Sequence, residues 1–348
     1  MRNHLFFNKL NQFITLIAAC FILTSCGNGD DKKNIPNVSN LETNTEILRF
    51  DKDLFAVKDL KDLEAVNAKY RNAADVFYTQ IIGAKQPQEA PPQYFPLLKK
   101  FLTDTFVRRT YDTTQIVFNN FEPYKKELLR AAKFYKYYFP FHDLTFITFV
   151  SQYNYDVFPL GRDTVGIGLD FFLGENHADY LQLENVRYDY IRRSLTPQYL
   201  TTKAMRMLVS AQAGVENGSR LLDIMIHNGK QLYILDQLLP ETPDSIKFGY
   251  SGKQTQWCKE NEVEMWGSFL KNNILYETNQ KKIIKLVSPS PSSPGMPPEA
   301  PGETGNYIGW QIVKQFMKRN PDTSFPQLLA IRDAQVILDK AQYKPKRK

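Results

Sequence analysis

Residues 144–150 (LTFITFV) decide the fold class of this chain, because a short run of apolar, aromatic and β-branched residues favours a buried β-strand. Residues 163–169 (DTVGIGL) show the same pattern a short distance along the chain. We predict that these two segments pair in a small sheet, and that residues 46–50 (EILRF) form a further short strand. Helical patterns dominate elsewhere, so we predict an α+β fold that is mostly helical, with its small sheet in the N-terminal half.

Helical periodicity extends on both sides of these strands. The clearest amphipathic pattern is residues 122–138 (EPYKKELLRAAKFYKYY), which prolines flank near both ends. Asn228-Gly229 predicts a turn between two later helices, and the proline-rich residues 287–304 predict a loop inside the domain. The other segments with a helical pattern are residues 59–82, as one helix or two, and residues 94–102, 196–212, 219–227, 230–239, 254–276, 307–319 and 324–341.

The N-terminus predicts export and lipidation. Residues 13–23 (FITLIAACFIL) form an uninterrupted apolar run behind Arg2 and Lys9, which suits a signal peptide and is too short to span a membrane. The run ends in Leu23-Thr24-Ser25-Cys26-Gly27, a lipobox in which Cys26 would be acylated, for example with palmitate, and would become the first mature residue. The alternative is an ordinary secretory signal that is cleaved elsewhere, with Cys26 incidental.

This processing site sets the predicted domain organisation. Residues 1–25 are the lipoprotein signal peptide, residues 26–45 are a polar flexible tether, and residues 46–348 are a single domain. We therefore expect a cell-envelope lipoprotein that faces the periplasm or the cell surface, with the membrane as a partner through the lipid on Cys26.

Composition argues against several classes of function. The formal net charge is +7, or +5 once Arg2 and Lys9 leave with the signal, but export argues against nucleic acid as a partner. Of 3 cysteines, one leaves with the signal and Cys26 would be lipidated, so Cys258 has no disulfide partner. The sequence has neither GxSxG, the α/β-hydrolase elbow, nor GxxxxGK followed by Ser or Thr, the phosphate loop. A carboxylate pair for glycoside chemistry stays open, because a sequence does not show spatial spacing.

Several short blocks follow one another from about residue 46 to the C-terminus. They are Phe172-Leu173-Gly174, Tyr190-Ile191-Arg192-Arg193, Asp223-x-Met225-Ile226, Gly229-Lys230, Tyr233, Leu239-Pro240, Gly249-Tyr250, Trp257-Cys258-Lys259-Glu260-Asn261-Glu262, Trp266, Gly305-x-x-Ile308-Gly309-Trp310-Gln311-Ile312-Val313 and Tyr343-Lys344-Pro345. In order and spacing they resemble the GldB family of gliding-motility lipoproteins of the Bacteroidetes. The resemblance implies an envelope lipoprotein required for gliding, a process linked to type nine secretion, with other gliding and secretion envelope proteins as partners.

The same resemblance implies a distant relation to zinc peptidases of the zincin type. A zincin needs HExxH on a helix, because two histidines bind zinc and the glutamate activates water. The histidines of this chain, His4, His142, His177 and His227, are far apart. Residues 199–213, where a zincin site would fall, contain no histidine, aspartate or glutamate. We therefore expect a zincin-like domain that is a pseudoenzyme, with no metal and no cofactor.

One stretch near the middle of the resemblance offers candidate site residues. Glu262 and Trp266 are four residues apart and would share one face of a helix. The simpler interpretation is a solvated charged face with Trp266 in the core. The sharper hypothesis is that Trp257, Glu262 and Trp266 line an interaction cleft, inherited from a peptidase, that now binds a partner.

Three functions stay open at this point. We favour a non-enzymatic structural or assembly component of the gliding and type nine secretion apparatus. A membrane-tethered hydrolase of peptide or glycan, with an unrecognised site, is the main alternative. A ligand-binding lipoprotein, for instance for glycan, is the third.

Overall fold

The computed structural model of the protein describes residues 35–84 and 91–346. Cys26, the signal peptide and part of the predicted tether lie outside these residues. From Val38 onward, the described residues form one compact unit.

A small mixed sheet has the strand order β1-β2-β4-β3. The strands are β1 (Glu46–Leu48), β2 (Thr145–Phe149), β3 (Val157–Pro159) and β4 (Thr164–Gly168). β1, β2 and β4 run parallel, with Thr145 opposite both Glu46 and Thr164, whereas β3 is antiparallel to β4 at the edge. The predicted pairing of residues 144–150 with residues 163–169 is confirmed. The sequence analysis missed β3, which is only three residues long and ends in a proline.

In the described residues, six helices lie between β1 and β2 along the chain. They are α1 (Phe50–Phe55), α2 (Leu60–Tyr70), α3 (Asn72–Gln80), α4 (Pro91–Thr103), α5 (Thr105–Val117) and α6 (Glu122–Tyr138). Helix α6 has the predicted bounds. Residues 59–82 prove to be two helices, which meet at Arg71 with a φ of 43°. Helices α1 and α5 were missed, although the Asp104 side chain caps α5 by accepting from the Phe106 and Val107 amides.

The two faces of the sheet contact two different hydrophobic cores. Successive side chains of a strand point to opposite faces, and β2 accordingly directs Phe149 into one core and Phe146 into the other. The Phe149 core is aromatic: the Phe50 ring lies 5.0 Å from Phe149, 5.2 Å from Phe77 and 4.9 Å from Tyr70 between centroids. Edge-on and tilted contacts of this kind add to the free energy of burial.

A second group of helices follows β4 and packs around the other core. They are α7 (Asp189–Arg192), α8 (Leu200–Ala213), α9 (Leu221–Leu238), α10 (Asp244–Phe248), α11 (Gly252–Glu260), α12 (Glu262–Lys271), α13 (Gln280–Val287), α14 (Thr304–Arg319), α15 (Phe325–Ala330) and α16 (Ala334–Ala341). The α+β class with a small sheet in the N-terminal half is confirmed. Within the described ranges, none of the helices combines the length and apolar character that a membrane span requires.

Helices α9 and α14 cross at a pair of glycines. A β-carbon at Gly229 would overlap the backbone of Gly309, and one at Gly309 would overlap the carbonyl oxygen of Met225. The two backbones therefore approach more closely than side chains normally permit. This contact corrects the predicted turn at Asn228-Gly229: Gly229 lies inside one continuous helix, where its missing side chain admits α14.

Two other predicted helices are interrupted. The segment 254–276 divides at Asn261, whose side-chain amide donates to the Trp257 carbonyl oxygen at 2.8 Å and so ends α11. The segment 324–341 divides before Asp333, whose carboxylate accepts from the Gln335 amide and starts α16. Helix α13 was missed: it lies between the segment 254–276 and the proline-rich residues, where no element was predicted.

The proline-rich residues form the predicted loop, between α13 and α14. Its backbone is held by side chains: Ser293 Oγ donates to the Pro301 carbonyl oxygen at 2.7 Å, and Tyr250 Oη donates to the Gly302 carbonyl oxygen at 2.8 Å. Thr304, the first residue of α14, donates its hydroxyl to Ser293 Oγ at 2.8 Å. These bonds place the end of the loop beside α10.

Candidate functional site

A cavity of about 730 Å³ opens between α8, α10, strand β3 and the end of the proline-rich loop. Its walls are largely apolar and include Val157, Met207, Ile246 and Phe248. Its volume falls in the range of pockets that enclose a small molecule. The cavity is therefore our candidate site, and its polar side chains decide what it can bind.

Helix α8 contributes a polar stripe to the cavity. Thr202, Arg206 and Ser210 follow at intervals of four residues, so they lie along one face, with Lys203 beside them. The opposite face of α8 is apolar and buried, which fixes the direction of the stripe. The sequence analysis tested this helix only for metal ligands and missed these residues, although their spacing of four was a visible signal.

Arg206 is the cation that projects into the cavity. Its side chain is accessible to solvent through the cavity, yet protein surrounds it, and this burial lowers the pKa of its guanidinium. Nη2 donates to the carbonyl oxygen of Lys247. Within residues 35–84 and 91–346, no carboxylate lies close enough to form an ion pair with Arg206, although the charge of Glu303 acts on it at longer range. Arg206 thus keeps donors available to the cavity.

Glu303 faces the same cavity from the residue before α14. Its backbone is left-handed, with φ 60° and ψ 24°, which costs a non-glycine residue about 1 kcal/mol. Burial raises the pKa of the Glu303 carboxyl, against the opposing effects of Arg206 and of the Asn306 amide, which donates to Oε1 at 3.0 Å. A strained, half-buried acid near an arginine with which it forms no ion pair is the most unusual arrangement in the cavity wall.

The other charged groups of the wall have partners. Lys203 Nζ pairs with Asp156 Oδ2 at 2.8 Å, and Arg193 Nη1 donates to Gln254 Oε1 at 2.8 Å. Lys203 thus has an anionic partner, whereas Arg193 and Arg206 donate only to neutral oxygens among the described residues.

A buried ion pair supports this wall from behind. Lys247 of α10 bonds to Asp236 of α9, and both side chains are only 2% exposed. Lys247 Nζ also lies 3.0 Å from Asp244 Oδ1. Burial lowers the pKa of Lys247, but the two carboxylates more than offset it, so the pKa lies above the ordinary value. The pair fixes α10, whose Lys247 carbonyl oxygen in turn accepts from Arg206.

The residues chosen from the sequence lie elsewhere. Glu262 and Trp266 of α12 meet at Tyr343: Tyr343 Oη donates to Glu262 Oε1 at 2.7 Å, and the Trp266 ring lies 5.3 Å from the Tyr343 ring. Trp257 lies on α11 and packs against the core. None of Trp257, Glu262 and Trp266 lines the cavity described above. Their role in a separate interaction cleft stays a prediction.

Other candidate groups are engaged in packing or hydrogen bonds. His142 Nδ1 lies 2.6 Å from Asp163 Oδ1 in a loop beside the sheet. Cys258 is buried, and burial raises its pKa to about 12, so its thiol is not activated as a nucleophile. In the part of the chain that the structure describes, no group of three or more His, Cys, Asp or Glu side chains is placed to hold a metal ion.

Comparison with protein families gives a match over most of the chain. Residues 31–345 match the model of a lipoprotein family described as gliding motility protein GldB. Comparisons with curated proteins and with solved structures give no significant match, so the zincin-like resemblance stays a prediction. The family match covers nearly the whole chain, including every residue of the cavity wall. The chain belongs to the GldB family of gliding motility proteins.

Proposed function

We propose that this protein is a lipid-anchored, non-enzymatic component of the gliding machinery, held at a membrane of the cell envelope through Cys26. Family membership supports the gliding role, and the lipobox at Cys26 supports the anchor. Its partners are other envelope proteins of the gliding and type nine secretion systems, which it assists in structure or assembly.

The charge of the cavity supports the non-enzymatic part of the proposal. Of the two cations on the cavity face of α8, Lys203 is paired with Asp156, but Arg206 has no carboxylate partner among the described residues and would repel a dication bound beside it. In the described residues, no cluster of acidic, histidine or cysteine ligands offsets that repulsion.

The edge of the sheet also supports the non-enzymatic part of the proposal. Strand β3 borders the cavity, but Pro159 has no amide to donate, and the Val157 amide already donates to the Asp156 side chain at 2.7 Å. The two residues thus offer no free amide to an added strand, which weakens pairing of a substrate peptide along this edge. A hydrolase that aligned an extended peptide on this edge would lack those hydrogen bonds.

The experiment is complementation of a clean deletion strain, scored by colony spreading and single-cell gliding. Wild type and Cys20→Ala, a matched change within the signal peptide, should restore movement and incorporate labelled palmitate. Cys26→Ala should do neither, because no thiol remains at the processing site. Full gliding with Cys26→Ala would refute the anchor, and normal gliding of the deletion strain would refute a required role in motility.

The non-enzymatic part has a separate test. The purified full chain would be assayed for bound metal and for hydrolysis of a broad peptide and glycan panel. We expect rates equal to those of the buffer. Turnover that copurifies with the wild type and is lost in Arg206→Gln would contradict this part of the proposal.

A further inference from the structure

We propose that the cavity between α8, α10 and the proline-rich loop binds a monocarboxylate on an apolar body, with Arg206 as the group that binds the carboxylate. This inference goes beyond the proposed function, since it requires neither the lipid anchor nor a role in gliding.

The shape and lining of the cavity favour a small molecule or a chain end. About 730 Å³ is enough for a ligand of drug size, and the apolar walls would take up its body. Phe248 and Tyr250 stack at 5.3 Å between ring centroids on one side, which offers a flat surface to an aromatic or aliphatic group.

The charge of Arg206 favours an anion. Its guanidinium has five N–H donors, of which the structure commits one nitrogen to the Lys247 carbonyl oxygen. Of the other cations of the wall, Lys203 is already paired with Asp156, and Arg193, which also lacks a carboxylate partner in the described part of the chain, donates to Gln254 Oε1 at 2.8 Å. A carboxylate matches the fork of a guanidinium with two parallel hydrogen bonds, and it would compensate the burial of that charge.

Glu303 limits the charge of the ligand. It interacts with Arg206 across the cavity, and burial already disfavours its ionised form. A dianionic phosphate would face this acid and be repelled, whereas a monocarboxylate leaves the site with a smaller surplus of negative charge. Glu303 precedes α14 with a left-handed backbone, but its side chain makes no hydrogen bond that caps this helix. Helix capping therefore does not explain the strain, and a binding role of the side chain does.

The ligand would enter by one end. Strand β3 offers no free amide at Val157 or Pro159 to hold an extended peptide, so we take the carboxylate to come from a free acid or from the C-terminus of a peptide. Both sources present the same chemistry, and the experiment has one arm for each.

The test is calorimetric titration of the full chain in lipid nanodiscs. The probe for the peptide source is N-acetyl-Leu-Phe, compared with its C-terminal amide. The probe for the free-acid source is 4-phenylbutyrate, compared with 4-phenylbutanol. We expect saturable binding of at least one acid, and we expect its neutral counterpart to bind about tenfold more weakly, or weaker still. Equal binding of acid and neutral probe, or saturable binding of neither acid, would overturn the proposal.

Two variants sharpen the test because their effects have opposite signs. Arg206→Gln should weaken acid binding about tenfold or more, while Arg109→Gln, an arginine on the outer surface, should not change it. Glu303→Gln removes a like charge and should strengthen acid binding several-fold. If Arg206→Gln fails to fold, Arg206→Lys keeps the charge and the Glu303 comparison remains. Weakening by both Arg206→Gln and Glu303→Gln would indicate a merely structural role and overturn the assignment.

Discussion

Two regions on either side of α10 differ in how their charged and backbone groups are packed: one is filled by close contacts, and the other faces a cavity. The packed centre comprises the buried Lys247–Asp236 pair and the Gly229–Gly309 helix crossing, where no space remains. The cavity wall comprises Arg206 and Glu303, which face open space without forming an ion pair. In the packed centre, neighbouring groups are matched: the Lys247 ammonium has carboxylate partners, and each glycine leaves room for the backbone of the other helix. In the cavity wall, burial and strain reduce stability, which is typical of residues kept for binding.

The largest effect should come from breaking the buried ion pair. Lys247→Met leaves the Asp236 carboxylate buried without its cation, and we expect a loss of about 3–5 kcal/mol of unfolding free energy. Lys259→Met is the control, because Lys259 also pairs with Asp244, at 3.4 Å, but is 41% exposed and should contribute under about 1 kcal/mol. Denaturant titration followed by circular dichroism measures both. Equal effects would show that burial does not distinguish these pairs.

The glycine crossing should give the next largest effect. Gly309→Ala forces the backbones of α9 and α14 apart, and we expect a loss of about 2–3 kcal/mol. Gly267→Ala, inside α12 with no atom within 4 Å of the added methyl, should instead gain up to about 1 kcal/mol from helix propensity. If Gly309→Ala leaves the free energy of unfolding unchanged, the crossing is not closely packed.

Loss of the hydrogen bond between Tyr343 and Glu262, a residue chosen from the sequence, should have an intermediate effect on the free energy of unfolding. Tyr343→Phe removes the hydrogen bond to Glu262 but keeps the ring against Trp266, so we expect a loss of about 1 kcal/mol. A double-mutant cycle with Glu262→Ala measures the coupling of the two side chains. Normal stability and normal gliding of Glu262→Ala would exclude Glu262 from both packing and partner binding.

The cavity wall should respond in the opposite direction. Glu303→Gly relieves the left-handed backbone and removes a buried acid, and we expect a gain of about 0.5–1 kcal/mol in spite of the lost Asn306 contact. Glu303→Ala is the matched control, because it removes the acid but keeps the strain. Destabilisation by Glu303→Gly would place Glu303 with the packed centre and end the distinction between the regions.

The parts of the structure that the sequence predicts are those governed by local periodicity. Residues 122–138 and the two central strands show their pattern within a few residues, so their bounds are nearly correct. The turn at Asn228-Gly229 was wrong, because the local turn preference of this pair is overruled by a distant helix that needs the missing side chain. The cavity was not predicted, because Arg206 and Glu303 come together only in three dimensions and nothing local signals the backbone strain at Glu303.

The parallel pairing of β1 with β2 also has a consequence for how the chain folds. Glu46 lies opposite Thr145, and helices α1 to α6 all fall between these two partners. Closing so long a segment is entropically unfavourable until local structure shortens it. We expect the helices to form early and the sheet to close late, so in pulsed hydrogen exchange α6 amides should gain protection before those of β2. As the chain is synthesised from its N-terminus, β1 is complete before β2 and has no strand partner until residues 145–149 follow.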